Sequence, residues 1–236
     1  YLVPDNQNPT GMSMSADDRK RLCDIVSETR TRTIVDETLT DVWLDEPVPA
    51  PVAAALGTRS DLLMTVGSMS KSFWGGMRIG WIRAEPGVLA TLRALRPSID
   101  LGTSVVEQIA AAWLLTERAE DVLPERREML RERRSLLMDL LSTHMPEWQP
   151  LPGTGGMSLW VRLPAPISSA LCASASRLGV ELPPGPRFGV DGTLERFIRI
   201  PYVLAPDQLA EAIPLLAQAW RSVTGSTAPQ GAAVVI

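Results

Sequence analysis

The 236-residue sequence predicts an α/β protein whose last third changes to an α+β pattern. Three observations lead there. Short β-type runs flank an amphipathic helix at βαβ spacing, the middle of the chain turns helical and charged, and short strands and helices alternate from about residue 157. The expected division is a first domain over 1–117, a linking helix and small C-terminal domain over 118–224, and a frayed tail over 225–236.

The elements follow in order. Tyr1–Pro4 reads as the end of a strand, and the turn-rich Asp5-Asn6-Gln7-Asn8-Pro9-Thr10-Gly11 follows at once. There is no initiator Met and the chain opens in mid-strand, so it is expected to be the C-terminal part of a longer protein. A helix is expected from about Ser15 to Thr29. Ser15 is a good N-cap, Asp17 and Asp18 suit the first turn, and Leu22, Ile25 and Val26 form an apolar stripe. Strands are expected at Thr33–Val35, Leu62–Val66 and Ile79–Ile82, the second following a loop with Pro47, Pro49 and Pro51. Strand, helix, strand at this spacing implies parallel pairing.

Helices are then expected at Gly87–Leu95, Ser104–Thr116 and Pro124–Ser142. The last mixes both charge signs over an apolar seam of Leu123, Leu130, Leu137 and Leu141, as in a solvated helix between domains. Beyond it come a strand at Met157–Leu163, a helix near Ser168–Leu178, short strands at Val180–Leu182 and Phe197–Pro201, and a helix at Pro206–Val223.

Composition excludes several function classes. Apolar residues make up 45% of the chain, too many for a disordered protein. A net charge of −4 gives no electrostatic case for nucleic acid. Two cysteines, Cys23 and Cys172, make no disulfide framework, which fits a reducing cytoplasm. One histidine with two distant cysteines supplies no ordinary zinc site, so no metal is expected. Histidine-based triads are excluded too unless His144 is the base, and that residue reads more simply as a helix-end histidine. No apolar run reaches the roughly 20 residues of a membrane span, and no signal peptide is visible. Of the 23 basic residues only Lys20 and Lys71 are lysines, so a lysine in a loop calls for a reason.

Ligands of open parallel sheets bind beyond the carboxyl ends of the strands. By that rule the first strand delivers Asn8, the second Asp36, and the third Ser68, Ser70 and Lys71, with Arg78 seven residues further on. A phosphate loop would need Gly directly before the lysine and another five residues earlier; Ser70 and Thr65 occupy those positions. A Schiff-base lysine fits better. If its aldehyde partner is pyridoxal phosphate, a carboxylate must hold the pyridinium nitrogen, and hydroxyls with a guanidinium must hold the phosphate. Asp36, Ser68 and Arg78 supply those types.

Asn8-Pro9-Thr10-Gly11, Asp36, and Ser68-Met-Ser-Lys71 followed by Gly76-Met-Arg78-Ile-Gly80-Trp81 resemble the core motifs of class I/II aminotransferases. The resemblance continues through Gly155-Gly156-Met157 with Trp160, Gly179-Val180, Pro184-Gly185, Phe188 and Phe197-Ile-Arg199-Ile200. It implies the C-terminal part of the fold-type I large domain, mainly a parallel sheet, plus a small α+β domain. It also implies pyridoxal 5'-phosphate as cofactor. By resemblance Lys71 would form the internal aldimine and shuttle the proton, and Asp36 would pair with the pyridine nitrogen. Asn8 would bond the phenolic oxygen, Ser68, Ser70 and Arg78 would bind phosphate, and Arg199 would clamp the substrate α-carboxylate, with Asn8 beside it. Two departures stand out: the family's tyrosine two or three residues after the aspartate is replaced by Thr38 and Leu39, and the family's ring-stacking aromatic and main phosphate-binding helix lie upstream of Asn8.

The short Lys71-to-Arg78 spacing and the Asp-Glu-Thr-Leu-Thr-Asp run are most similar to MocR-type regulators of the GntR family. Those join a winged helix-turn-helix to an aminotransferase-like domain. The resemblance then implies an effector-binding role, DNA contact only through a domain outside this chain, and a homodimer. The alternative is a stand-alone aminotransferase moving an amino group from an amino acid or amine to a 2-oxo acid.

Overall fold

The computed structural model describes residues 1–56, 61–151 and 153–225. It divides into two compact units: Tyr1–Leu130 with a short segment ending at Gly156, and Arg131–Leu151 with the chain from Met157 onward.

The first unit is built on a three-stranded sheet in the order β1 (Thr33–Asp36), β2 (Leu63–Ser68), β3 (Gly80–Arg83). β1 and β2 are parallel, with Asp36 opposite Val66, while β3 returns antiparallel, with Gly80 opposite Ser68. The strand expected at Tyr1–Pro4 is reduced to a single parallel bridge, Leu2 with Val35. Leu2 takes the Ile34 carbonyl and gives its own to Asp36 N–H. Pro4 has no N–H to extend the ladder, and its carbonyl accepts instead from Met14 N–H at 2.7 Å.

Helix α1 (Ala16–Thr29) starts where the sequence places it: the Ser15 hydroxyl accepts from Asp18 N–H, and Arg30 ends the helix in the left-handed region at φ 51°. Its Cys23 and Val26 pack with Val35, Val52, Leu62 and Leu63 into one core cluster. Val52 opens the short α2 (Val52–Leu56).

The expected helices at 104–116 and 124–142 form one continuous helical run. It comprises α5 (Val105–Trp113), a π-turn over Leu114–Arg118, and α6 (Ala119–His144), after α4 (Pro86–Leu95). The intervening residues are mostly good helix formers, so nothing between the two segments ends the helix. Leu130, Leu137 and Leu141 are fully buried along the seam.

In the second unit β4 (Gln149–Pro150), β5 (Ser158–Arg162) and β6 (Phe197–Pro201) form an antiparallel sheet in that order. β6 alternates, with Ile198 and Ile200 buried on the core face. Helices α7 (Ser168–Ser176) and α8 (Pro206–Gly225) pack against each other. The strand expected at Val180–Leu182 does not form; pairing is confined to a Pro184–Ile198 bridge, because Pro183 and Pro184 carry no N–H to build a ladder. Gly225 ends α8 rather than opening a tail, and residues 226–236 lie outside the described residues.

Candidate functional site

Neighbouring strands lie about 4.8 Å apart, so the shared register puts Asp36 and Ser68 at adjacent carboxyl ends. The Leu2 bridge beside β1 brings the loop carrying Asn8 to the same rim. Asn8, Asp36, Ser68, Ser70, Lys71 and Arg78 therefore all belong to one edge of the first unit.

Asp36 is half-buried and well held. Its Oδ1 accepts from Thr38 N–H at 2.8 Å, and its Oδ2 accepts a short hydrogen bond from the Tyr1 hydroxyl. That bond, then burial, then the Asp36 charge, push the Tyr1 phenol up to about 12. The sequence gives no hint of this pairing, because it joins residues 35 positions apart. Next to Asp36, burial and the Asp5 charge raise the Glu37 carboxyl, whose Oε1 is buried without a hydrogen-bond partner.

The loop before α1 is fixed by an ion pair that sequence reading also misses. Arg19, 2% exposed, pairs with Asp5, 1% exposed; Asp5 Oδ2 also accepts from the Thr40 hydroxyl at 2.7 Å. Arg19 donates further to the carbonyls of Met14 and Ala50. Asn8 itself is exposed, and its peptide bond to Pro9 is cis. The segment ending in Gly155-Gly156 locks onto this loop: Thr154 N–H donates to the Gly11 carbonyl, and Gly156 N–H to that of Val42. A Cβ on Gly155 would stand 2.3 Å from Asn6 Oδ1 and 2.7 Å from the Val42 carbonyl, so only glycine fits there.

The lysine loop is supported from below. Ser68 caps the short α3 (Met69–Ser72) by accepting from Ser70 N–H at 3.1 Å, and Ser72 donates to Asp41 at 2.8 Å. Met69 and Met77 are buried with Ala111 of α5, with Phe73 and Ile79 packed against them. Lys71 stands exposed on this platform, and exposed Arg78 ends the following 3-10 turn in the left-handed region at φ 53°.

Arg199 lies in the second unit and is described there by itself. It sits opposite Trp160 in the β5–β6 register, on the face turned away from Ile198 and Ile200. Trp160 stacks on Phe197 at 5.2 Å and meets Phe188 edge-on at 5.5 Å, and the guanidinium lies 5.0 Å from the Phe188 ring centre. Burial, and then the charge of Arg187, pull Arg199 below the usual arginine range. Among the described residues no helix is long and apolar enough to cross a membrane.

The donor set of the first unit fits pyridoxal phosphate: a primary amine, a carboxylate whose orientation two hydrogen bonds fix, and a pair of hydroxyls at a capped turn. Comparison with known proteins agrees. The family model "Aminotransferase class I and II" matches residues 3–216. The HTH-type transcriptional regulator YdfD of Bacillus subtilis is 30% identical over 175 residues, covering 72% of this chain and 36% of its own length. Aromatic-amino-acid aminotransferase 1 of Thermococcus litoralis is 30% identical over 226 residues, covering 92% of this chain and 53% of its own length. The crystal structure of LysN, the α-aminoadipate aminotransferase of Thermus thermophilus complexed with N-(5'-phosphopyridoxyl)-L-leucine, superposes with a TM-score of 0.87. It is 26% identical, over 96% of this chain and 59% of that one. The chain thus spans about a third to three fifths of such relatives. With the family match reaching across both units and the lysine, aspartate and asparagine gathered on one rim, the chain belongs to the class I and II aminotransferases.

Proposed function

We propose that this chain is the pyridoxal-phosphate-binding, effector-sensing part of a MocR-type regulator of the GntR family. The observation that carries the cofactor part is Lys71 on its capped turn, directly after the β2 end that neighbours Asp36. The regulator part is supported by the likeness to YdfD and by the Asp-Glu-Thr-Leu-Thr-Asp run, in which Thr38 and Leu39 stand at the two positions where the family usually carries a tyrosine.

The cofactor, when bound, supplies an aldehyde and an electron-withdrawing ring. Each residue then has a stated task. Lys71 would supply the primary amine that holds the cofactor through its aldehyde carbon, the aldehyde oxygen leaving as water, and would carry the proton between substrate and cofactor. Asp36, steered by Thr38 N–H and the Tyr1 hydroxyl, keeps a proton on the ring nitrogen. Asn8 donates to the phenolic oxygen. Ser68, Ser70 and Arg78 bind phosphate, the guanidinium by charge-assisted hydrogen bonds. Arg199 holds the α-carboxylate of the amino ligand as a planar fork. An amino compound that exchanges with Lys71 favours one of two conformations of the whole protein. DNA contact through a domain outside this chain, a homodimer and a cytoplasmic location belong to the same reading.

A second reading, a working aminotransferase acting on an amino acid and a 2-oxo acid, is favoured by the 92% of this chain that the Thermococcus enzyme matches. Addition of an amino donor and a 2-oxo acid to the cofactor-loaded full-length protein separates the two. The regulator reading expects the absorbance of the lysine-bound cofactor to change once, without sustained product. Continuous formation of the new amino acid overturns it.

A further inference from the structure

The carboxylate expected to meet the ring nitrogen already has a donor on each oxygen. Leu2 sits opposite Val35 in the parallel bridge, so Tyr1 and Asp36, each one residue away, turn to the side of the sheet opposite the one where Val35 packs on α1. Two backbone hydrogen bonds hold that register: Leu2 N–H donates to the Ile34 carbonyl at 2.9 Å, and Asp36 N–H to that of Leu2 at 2.8 Å. Tyr1 is 75% exposed, so little packing directs its ring, and its hydroxyl is placed by the bond to Asp36 Oδ2. Oδ1 is taken by Thr38 N–H. Asp36 shares its side of the sheet with its register partner Val66 and, two residues on, with Ser68, where the lysine turn begins.

A carboxylate that accepts hydrogen bonds is stabilised as the anion and becomes a weaker base toward the next donor. The Tyr1 bond runs from a neutral hydroxyl to a charged acceptor, which puts it among the stronger kinds. A pyridinium N–H brought to Asp36 therefore meets a carboxylate whose charge is already drawn toward the phenol. The ring nitrogen keeps its proton less firmly there than against a carboxylate free on that oxygen, and electron withdrawal by the ring weakens with it. A weaker electron sink suits a site that holds an amino ligand rather than converting it. The other tyrosine of the chain, Tyr202, is fully buried in the second unit.

We infer that Tyr1 is a positioning residue that competes with the ring nitrogen of the cofactor for Asp36 and so weakens the ring as an electron acceptor. This rests on the proposed binding of pyridoxal phosphate at Asp36 and adds a residue that tunes it.

The probe is pyridoxamine 5'-phosphate isotopically labelled at the ring nitrogen, because it carries no aldehyde and forms no covalent bond to Lys71. It is added at one pH to the full-length parent, Tyr1→Phe and Tyr1→Leu proteins and followed by nitrogen NMR and by calorimetry. Tyr1→Phe keeps the aromatic ring and removes the hydroxyl. It should move the ring-nitrogen resonance toward the pyridinium position and tighten binding about fivefold, part of one charge-assisted hydrogen bond. Tyr1→Leu should match Tyr1→Phe on both readouts. A resonance and an affinity that Tyr1→Phe leaves unchanged overturn the inference, as does weaker binding, which would make the hydroxyl a support of the ion pair. A change confined to Tyr1→Leu assigns the effect to ring packing and overturns it too. In each of these cases the parent binds the probe and the cofactor reading stands. A parent protein that binds no probe overturns the cofactor reading, and this inference with it.

Discussion

Lys71 and Arg199 are held by opposite means. Lys71 is exposed, and its position comes from what lies beneath it: the Ser68 cap, the Ser72–Asp41 bond and the buried Met69 and Met77. Arg199 is half-buried, and its position comes from what surrounds it: Trp160 across the strand pair and the Phe188 ring against the guanidinium. The first arrangement leaves a primary amine free to react and insulates the fold from its loss. The second keeps a fixed charge desolvated and aimed, at the expense of tying it to the packing of its sheet. The group proposed to react and the group proposed to recognise the ligand thus receive different settings in one chain.

Substitutions break or sharpen that contrast, and the largest effect lies in neither cation. Arg19→Ala removes one partner of a fully buried ion pair and leaves Asp5 charged in the interior, so about 3–5 kcal/mol of stability should be lost in a denaturant titration. The loop carrying Asn8 should loosen with it, seen as faster amide exchange at Gly11, whose N–H now donates to the Gln7 carbonyl. Next comes Trp160→Ala, which empties a site that is 4% exposed and takes away the ring opposite Arg199. A loss of about 3 kcal/mol is expected, together with weaker anion binding at Arg199. Ser68→Ala removes one cap from a four-residue helix and should cost only about 1 kcal/mol, while displacing Lys71 enough to slow cofactor uptake.

The smallest effect is a titration. The Tyr1 phenol is raised from 10.0 to about 12 because its neutral form donates to Asp36. A group raised on folding adds stability that is complete below its unfolded pKa and disappears as pH climbs through the folded one. The Tyr1 contribution is therefore expected in full below pH 10 and gone by about pH 12. Ultraviolet titration of Tyr1→Phe should lack the late phenolate step, and its stability should converge with that of the parent across this interval.

Much of this arrangement is legible in the sequence because it is local. The Ser15 cap and the rim placement of Asp36, Ser68 and Lys71 follow from strand ends and turn chemistry within a few residues. The rest depends on groups brought together from afar. Asp5 meets Arg19 and Tyr1 meets Asp36 across 14 and 35 positions, and no periodicity encodes either pair. Apolar runs also say nothing of direction, so the antiparallel return of β3 is invisible in Ile79-Gly80-Trp81-Ile82. Proline had more weight than the apolar pattern allowed: Pro4 and the Pro183-Pro184 pair each reduced an expected strand to one bridge.

The central claim is that one lysine of this chain carries pyridoxal phosphate, and the composition makes a direct test possible, because Lys20 on α1 is the one other lysine among these 236 residues and serves as an internal control. The full-length protein is incubated with pyridoxal phosphate, reduced with borohydride and mapped by peptide mass spectrometry. The account predicts the phosphopyridoxyl mass on the peptide containing Lys71, none on the one containing Lys20, and a Lys71→Ala protein that keeps its stability within about 0.5 kcal/mol but takes up no label at this site. Label shared equally between the two lysines, or none on Lys71, would contradict it.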